Sequence, residues 1–129
     1  MPRYVIGKTV DLSPAEAERR IVEALAAVGF GILTEIDVQA TMKKKLGAEM
    51  PPYRILGACN PGFAQRAIGV EPAIGALLPC NVVIRQDAAG AVHVELMDPD
   101  AVLTLVDRPG VVALAAEVRK RLEGALAQV

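Results

Sequence analysis

NVVIRQDAAGAVHVELM, running from Asn81 to Met97, decides the fold. It reads as two β-strands, Asn81 to Gln86 and Ala91 to Met97, joined by a short turn. Asp87-Ala-Ala-Gly90 suits a three-residue hairpin loop with Gly90 in the left-handed position. That loop fixes a register. Ile84 then pairs with Val94 and Val82 with Leu96 on one face, while Arg85 lies opposite His93 on the other. One face is apolar and the other polar throughout, as a half-buried antiparallel pair requires.

The elements upstream build on this hairpin. Tyr4 to Val10 is a short β-rich run. In DLSPAEAERRIVEALAAVGF, Ser13 is a helix N-cap, Pro14 suits the first helical position and Glu16 completes a capping box. Ala17, Ile21, Leu25 and Val28 recur at helical spacing, and Gly29 ends the helix. Phe30 to Val38 reads as a second strand, with Ile32, Thr34, Ile36 and Val38 on one face and Leu33, Glu35, Asp37 and Gln39 on the other. A short helix from about Ala40 to Leu46 stops at Gly47. Pro51-Pro52 leads into a third strand, Tyr53 to Cys59. Asn60 caps a short helix from Pro61 to Ile68, and a further turn or two follows Glu71-Pro72, ending at Pro79.

Downstream of the hairpin, Asp98-Pro99 opens another short helix. A longer one runs from about Pro109 to Ala127, with Val111, Ala115, Val118, Leu122 and Ala125 as its apolar stripe. On its exposed side Glu117 and Arg121 pair across one turn. The predicted fold class is α+β: a largely antiparallel sheet with helices packed on one face, in a single domain of 129 residues.

Composition narrows the partners. Hydrophobic residues make up 53% of the chain but only four residues are aromatic, so the core is aliphatic. The apolar surplus points to a pocket or to a buried interface such as a homodimer. Fourteen basic and fifteen acidic residues give a net charge of −1, which supplies no field for nucleic acid or an anionic membrane. Lys43 to Lys45 is the one positive run and reads as a solvated face. The N-terminal MPRYVIGKTV lacks an apolar signal region, and no apolar run is long enough to cross a bilayer. A cytoplasmic protein with reduced thiols is expected.

The chain has two cysteines and two asparagines, all in the pairs Cys59-Asn60 and Cys80-Asn81. If strands three and four are antiparallel neighbours, the end of one lies beside the start of the other. Both corners then share one edge, bridged by a Gly- and Pro-punctuated excursion able to act as a lid. Cys59 precedes a helix N-terminus, which favours a thiolate. Cys59 and Cys80 are thus candidate catalytic thiols. Cys59, Asn60, Cys80 and Asn81 are candidate ligand-binding residues. Each also has a plain structural use, as core packing for the thiols and as backbone caps for the amides. Glu35 and Asp37 share a face, are also candidate ligand-binding residues and could do acid–base work or hold a divalent cation, with Arg54 as charge compensation. His93 stands alone beside Arg85 and Glu95 and reads as a surface residue. Two thiols without a nearby histidine make a poor zinc site, and the phosphate-binding glycine motifs are absent, so neither metal nor cofactor is expected.

The stretches TEIDVQAT, ILGACNP and LLPCNVV, with FGIL, MKKKLG and MDP around them, resemble the bacterial and archaeal "domain of unknown function 302" family over nearly the whole chain. That resemblance implies a TATA-box-binding-protein-like fold, β-α-β4-α with a curved sheet. It also implies family motif positions at Thr34, Glu35, Asp37, Gln39, Cys59, Asn60, Pro61, Cys80 and Asn81. It implies no reaction. Three functions stand open: binding of a small-molecule ligand near the two corners, thiol redox or sulfur transfer through Cys59 and Cys80, and an interaction role through dimerisation.

Overall fold

The computed structural model describes residues 2–129. Five strands, β1 (Val5–Val10), β2 (Gly31–Asp37), β3 (Tyr53–Cys59), β4 (Cys80–Gln86) and β5 (Val92–Met97), form one antiparallel sheet in the order β1-β5-β4-β3-β2. The sheet is open and the fold is α+β. The helices are α1 (Pro14–Ala27), α2 (Val38–Leu46), α3 (Pro61–Val70), α4 (Pro99–Val102) and α5 (Pro109–Leu126), with a 3-10 segment at Pro72–Leu77 between α3 and β4. With the short helices set aside, the order is β-α-β4-α.

The hairpin adopts the register its alternation requires: Ile84 opposes Val94, Val82 opposes Leu96, and Arg85 opposes His93. Gly90 takes φ +91°, a conformation that side chains disfavour, and lets Asp87 close the turn through Ala91. Leu56, Ala58, Val82, Ile84, Val94 and Leu96 are essentially fully buried on the face that α1 and α5 cover. Ala17, Ile21 and Leu25 of α1 and Val118, Leu122 and Ala125 of α5 close that layer. A second, smaller cluster joins Ala67, Ile74 and Leu103 to Val111 and Ala115 of α5. The opposite face of the sheet is only half-buried.

Helix α1 starts as read, with the Ser13 hydroxyl accepting from the Glu16 amide at 3.1 Å. The reciprocal half of the capping box is missing. The Glu16 carboxylate is taken by Arg19 and Arg20 instead, at 2.6 and 3.0 Å. Full charge on both partners makes those bonds stronger than one to a neutral backbone amide.

Strand β2 departs from simple alternation. Ile32 opposes Ala58 but Thr34 opposes Gly57, so Leu33 is a bulge without a partner. One extra residue flips every later side chain to the other face. Ile32 packs against the core, whereas Thr34 and Ile36 line up with Gly57 and Ile55 on the half-buried face. The single face expected for Ile32, Thr34, Ile36 and Val38 is therefore split. The strand also ends sooner than expected. Asp37 accepts from the Ala40 amide at 2.9 Å and caps α2, which begins at Val38 and includes Gln39.

Candidate functional site

The β3–β4 register places Ala58 opposite Cys80, so the end of one strand meets the start of the next. Beyond Ala58 the chain turns into α3. Asn60 caps that helix through its Oδ1, which accepts from the Phe63 amide at 3.2 Å. The excursion from Gly57 to Asn81 then folds as α3 and the 3-10 segment, anchored by the buried Ile74, before returning at Cys80. Between this excursion, the β3–β4 corner and α5 lies a pocket of about 280 Å³.

Cys59, Asn60 and Cys80 all border the pocket. The rest of its wall is apolar. Phe30 and Phe63, the chain's two phenylalanines, form the inner end with ring centroids 6.5 Å apart. Ala64 and Ala67 of α3 and Leu114 and Val118 of α5 line its sides. Leu33, 67% exposed, and Ile68, 46% exposed, form an apolar mouth. The bulge at Leu33 is what turns that side chain to the mouth. Arg66 and Arg121 stack on Phe63, at 4.7 and 5.0 Å from its centroid, and are absent from the pocket wall. Arg121 also pairs with Glu117 at 3.5 Å, as the helix spacing predicts.

The two thiols are free and differ in exposure. Cys59 is half-buried and Cys80 is 7% exposed. Burial, and then the neighbouring Cys59 thiol, push Cys80 up to about 11, so it is protonated at neutral pH.

Asn81 does not join them. It is an exposed residue inside β4, opposite Gly57, and borders two shallow hollows on the half-buried face of the sheet. Side chains alternate along a strand, so adjacent Cys80 and Asn81 must part. Asn60 and Asn81 thus have separate uses, and only the first is at a bend. Glu35 and Asp37 are also outside the pocket. Arg54 compensates Glu35 at 3.7 Å as expected, but its closer partner is Glu18 of α1, at 2.7 Å. His93 bonds Asp87 through Nε2 at 2.8 Å and Thr9 through Nδ1 at 3.1 Å, on the half-buried face. Among the described residues no group of three or more His, Cys, Asp and Glu is arranged to hold a metal ion.

Two features escape sequence reading. Gly57 is required by contact: a Cβ there would lie 2.2 Å from Thr34 Oγ1 and 2.7 Å from Pro79 Cγ. Asp98, 6% exposed, pairs with Arg119 of α5 and caps α4 through the Asp100 amide at 2.9 Å. The first depends on strands far apart in sequence, and the second on where α5 docks. The motif Asp98-Pro99 signals only the cap.

The family model for "Domain of unknown function DUF302" matches residues 6–129. The chain belongs to the DUF302 family. The crystal structure of the uncharacterized conserved protein DUF302 from Bacillus stearothermophilus is similar over 98% of both chains, with a TM-score of 0.90 and 27% sequence identity. No curated protein matches the chain. The DUF302 match spans β1 from its second residue, the other four strands and both long helices, so every element that walls the pocket lies within the family domain. Among the described residues, no helix of this DUF302 protein is long and apolar enough to cross a membrane.

Proposed function

We propose that the protein binds a neutral, apolar small molecule in the pocket at the Cys59-Asn60 corner. The observation that carries this reading is the wall: a 280 Å³ space bordered almost wholly by aliphatic and aromatic side chains, with no charged group among them. A dry apolar cavity of about 150 Å³ is enough to take benzene, so this one suits a ligand of roughly naphthalene size. Asn60 and Cys59, both half-buried, border the pocket, but its exposed surface is almost wholly apolar, which favours a ligand without polar groups. Asn81, Glu35 and Asp37 are left out of this site because they border other surfaces.

The test is direct. Native mass spectrometry of freshly purified protein reads any co-purifying molecule, and titration with N-phenyl-1-naphthylamine, a neutral apolar fluorophore, reads the empty pocket. Ala64, half-buried on α3, is the residue to enlarge. Ala64→Phe fills the pocket and weakens fluorophore binding by about tenfold or more, with an unchanged circular dichroism spectrum. Equal binding by the variant rejects the pocket as the site.

A second reading is association with another copy through the half-buried sheet face. Ile36, Ile55 and Val83 lie in register across β2, β3 and β4, an apolar row that continues into Glu95 and Gly7, with the apolar pair Val5 and Met97 on the neighbouring strands. Val83→Glu places a charge at the end of that apolar row. Sedimentation of a wild-type dimer and a monomeric variant supports this reading, and a monomeric wild type ends it. The β-α-β4-α order is that of the TATA-box-binding-protein class, but fold likeness does not carry DNA recognition with it.

A further inference from the structure

We propose that Cys59 and Cys80 form a reversible disulfide gate on the apolar pocket, closed by reaction with a hydroperoxide. The proposal rests on the pocket reading for what the gate controls, and on the cysteines alone for the bond itself.

Three observations meet at this pair. First, the register makes the two residues diagonal neighbours. Cys80 opposes Ala58, the residue before Cys59. With strands about 5 Å apart and a rise of about 3.4 Å per residue, their Cα atoms are roughly 6 Å apart, inside the range that disulfides span. Second, strict alternation would send the two thiols to opposite faces, yet both border the same pocket. Cys59 is the last residue of β3, directly before the Asn60 cap of α3, where the strand gives way to the helix. Third, the thiols feel each other electrostatically, the Cys59 charge adding to the upward shift of Cys80.

Their unequal exposure sets the order of events. Half-buried Cys59 is the more exposed thiol and meets the oxidant first, while Cys80 is 7% exposed. The Cys59 thiolate attacks one oxygen of the hydroperoxide, the O–O bond breaks, and the alkoxide leaves and takes a proton as the alcohol. Cys59 is then a sulfenic acid. Cys80 attacks that sulfur, the S–S bond forms, and the hydroxyl leaves with the Cys80 proton as water. Two thiols lose two electrons, and the hydroperoxide is reduced to alcohol and water. A dithiol reverses the bond by exchange. Closure brings the two Cβ atoms to about 3.8 Å, drawing the β3–α3 corner onto the start of β4. The pocket narrows at this corner.

The experiment treats fully reduced protein with a small excess of tert-butyl hydroperoxide, blocks remaining thiols with N-ethylmaleimide, and maps the tryptic peptides. Cleavage after Arg54, Arg66 and Arg85 puts Cys59 in peptide 55–66 and Cys80 in peptide 67–85. The expected result is an intact mass lower by two hydrogens, no maleimide, and the two peptides joined. Fluorophore binding then falls about tenfold and returns with dithiothreitol, and Cys59→Ser protein gives no joined peptide. Over-oxidised Cys59 beside a maleimide-labelled Cys80, or links only between molecules, overturns the proposal. A joined pair that still binds the fluorophore refutes the gate while leaving the pocket reading intact. Reduced protein that takes no fluorophore refutes the pocket reading, and the gate with it, whatever the cysteines do.

Discussion

Replacing Gly57 by alanine tests the junction on which the pocket depends. Gly57 lies under Thr34 of the edge strand and Pro79 at the end of the excursion. Its added Cβ would stand 2.2 Å from Thr34 Oγ1 and 2.7 Å from Pro79 Cγ. Real carbon contacts start near 3.5 Å, so both neighbours must move by about an ångström. Exposed Thr34 can rotate or shift with its edge strand. Pro79 is a ring one residue before the buried Cys80, and moving it moves the pocket wall. Overpacking of this kind costs about 1–3 kcal/mol. At the slope expected for a chain of this length, a cost of about 2 kcal/mol lowers Tm by roughly 6–10 °C. Urea unfolding followed by circular dichroism should show a lower midpoint at constant m-value. Thr34→Ala removes the nearer clash and leaves the other, so the double variant should recover roughly 1 kcal/mol over Gly57→Ala. Gly57→Ala protein within about 0.5 kcal/mol of wild type, the usual range for a neutral surface change, would refute the contact argument.

Arg119→Met leaves the largely buried Asp98 carboxylate without its cation and should lower the urea midpoint; Asp98→Asn, which keeps the cap on α4, should lower it less. In Cys59→Ser protein, burial alone holds the Cys80 thiol up, so its iodoacetamide labelling rate should keep rising with pH past about 9, where an ordinary thiol levels off. A plateau at the ordinary value would place Cys80 in water. Asp87 is held below the usual carboxylate range by its bond to His93, then by the Ala91 amide. A depressed acid stabilises the fold above its unfolded pKa and loses that contribution as pH falls through the folded value. As pH falls below about 4, wild type should therefore lose more stability than Asp87→Asn protein, and parallel acid limbs would contradict this.

The hairpin, the cap at Ser13, the stripes of α1 and α5 and the antiparallel neighbourhood of β3 and β4 were all legible in the sequence. Each rests on local information: a period of two, a period of 3.6, a turn glycine or a capping side chain. The corner at Cys59-Asn60 was legible for the same reason, since a cap before proline marks a helix start. Strand β2 was misread beyond Ile32 because a bulge leaves no mark in the pattern; Leu33 fits either face, and only pairing with β3 shows it unpaired. Asn81 was grouped with Asn60 by composition, and the pleat of β4 separates it from Cys80.

What the tertiary structure alone decided is which of these residues meet. Amino-acid order determined the strands, the long helices and the aliphatic core, because each element's apolar periodicity must match its own geometry to bury one face. It did not determine that α3, the 3-10 segment and α5 stand far enough from the β3–β4 corner to leave a space. Nor did it determine that Cys59 and Cys80 border one pocket, that Gly57 must lack a Cβ, or that Arg119 reaches Asp98. Those depend on register, on one bulge and on the docking of α5, which are set by contacts between residues distant in the chain.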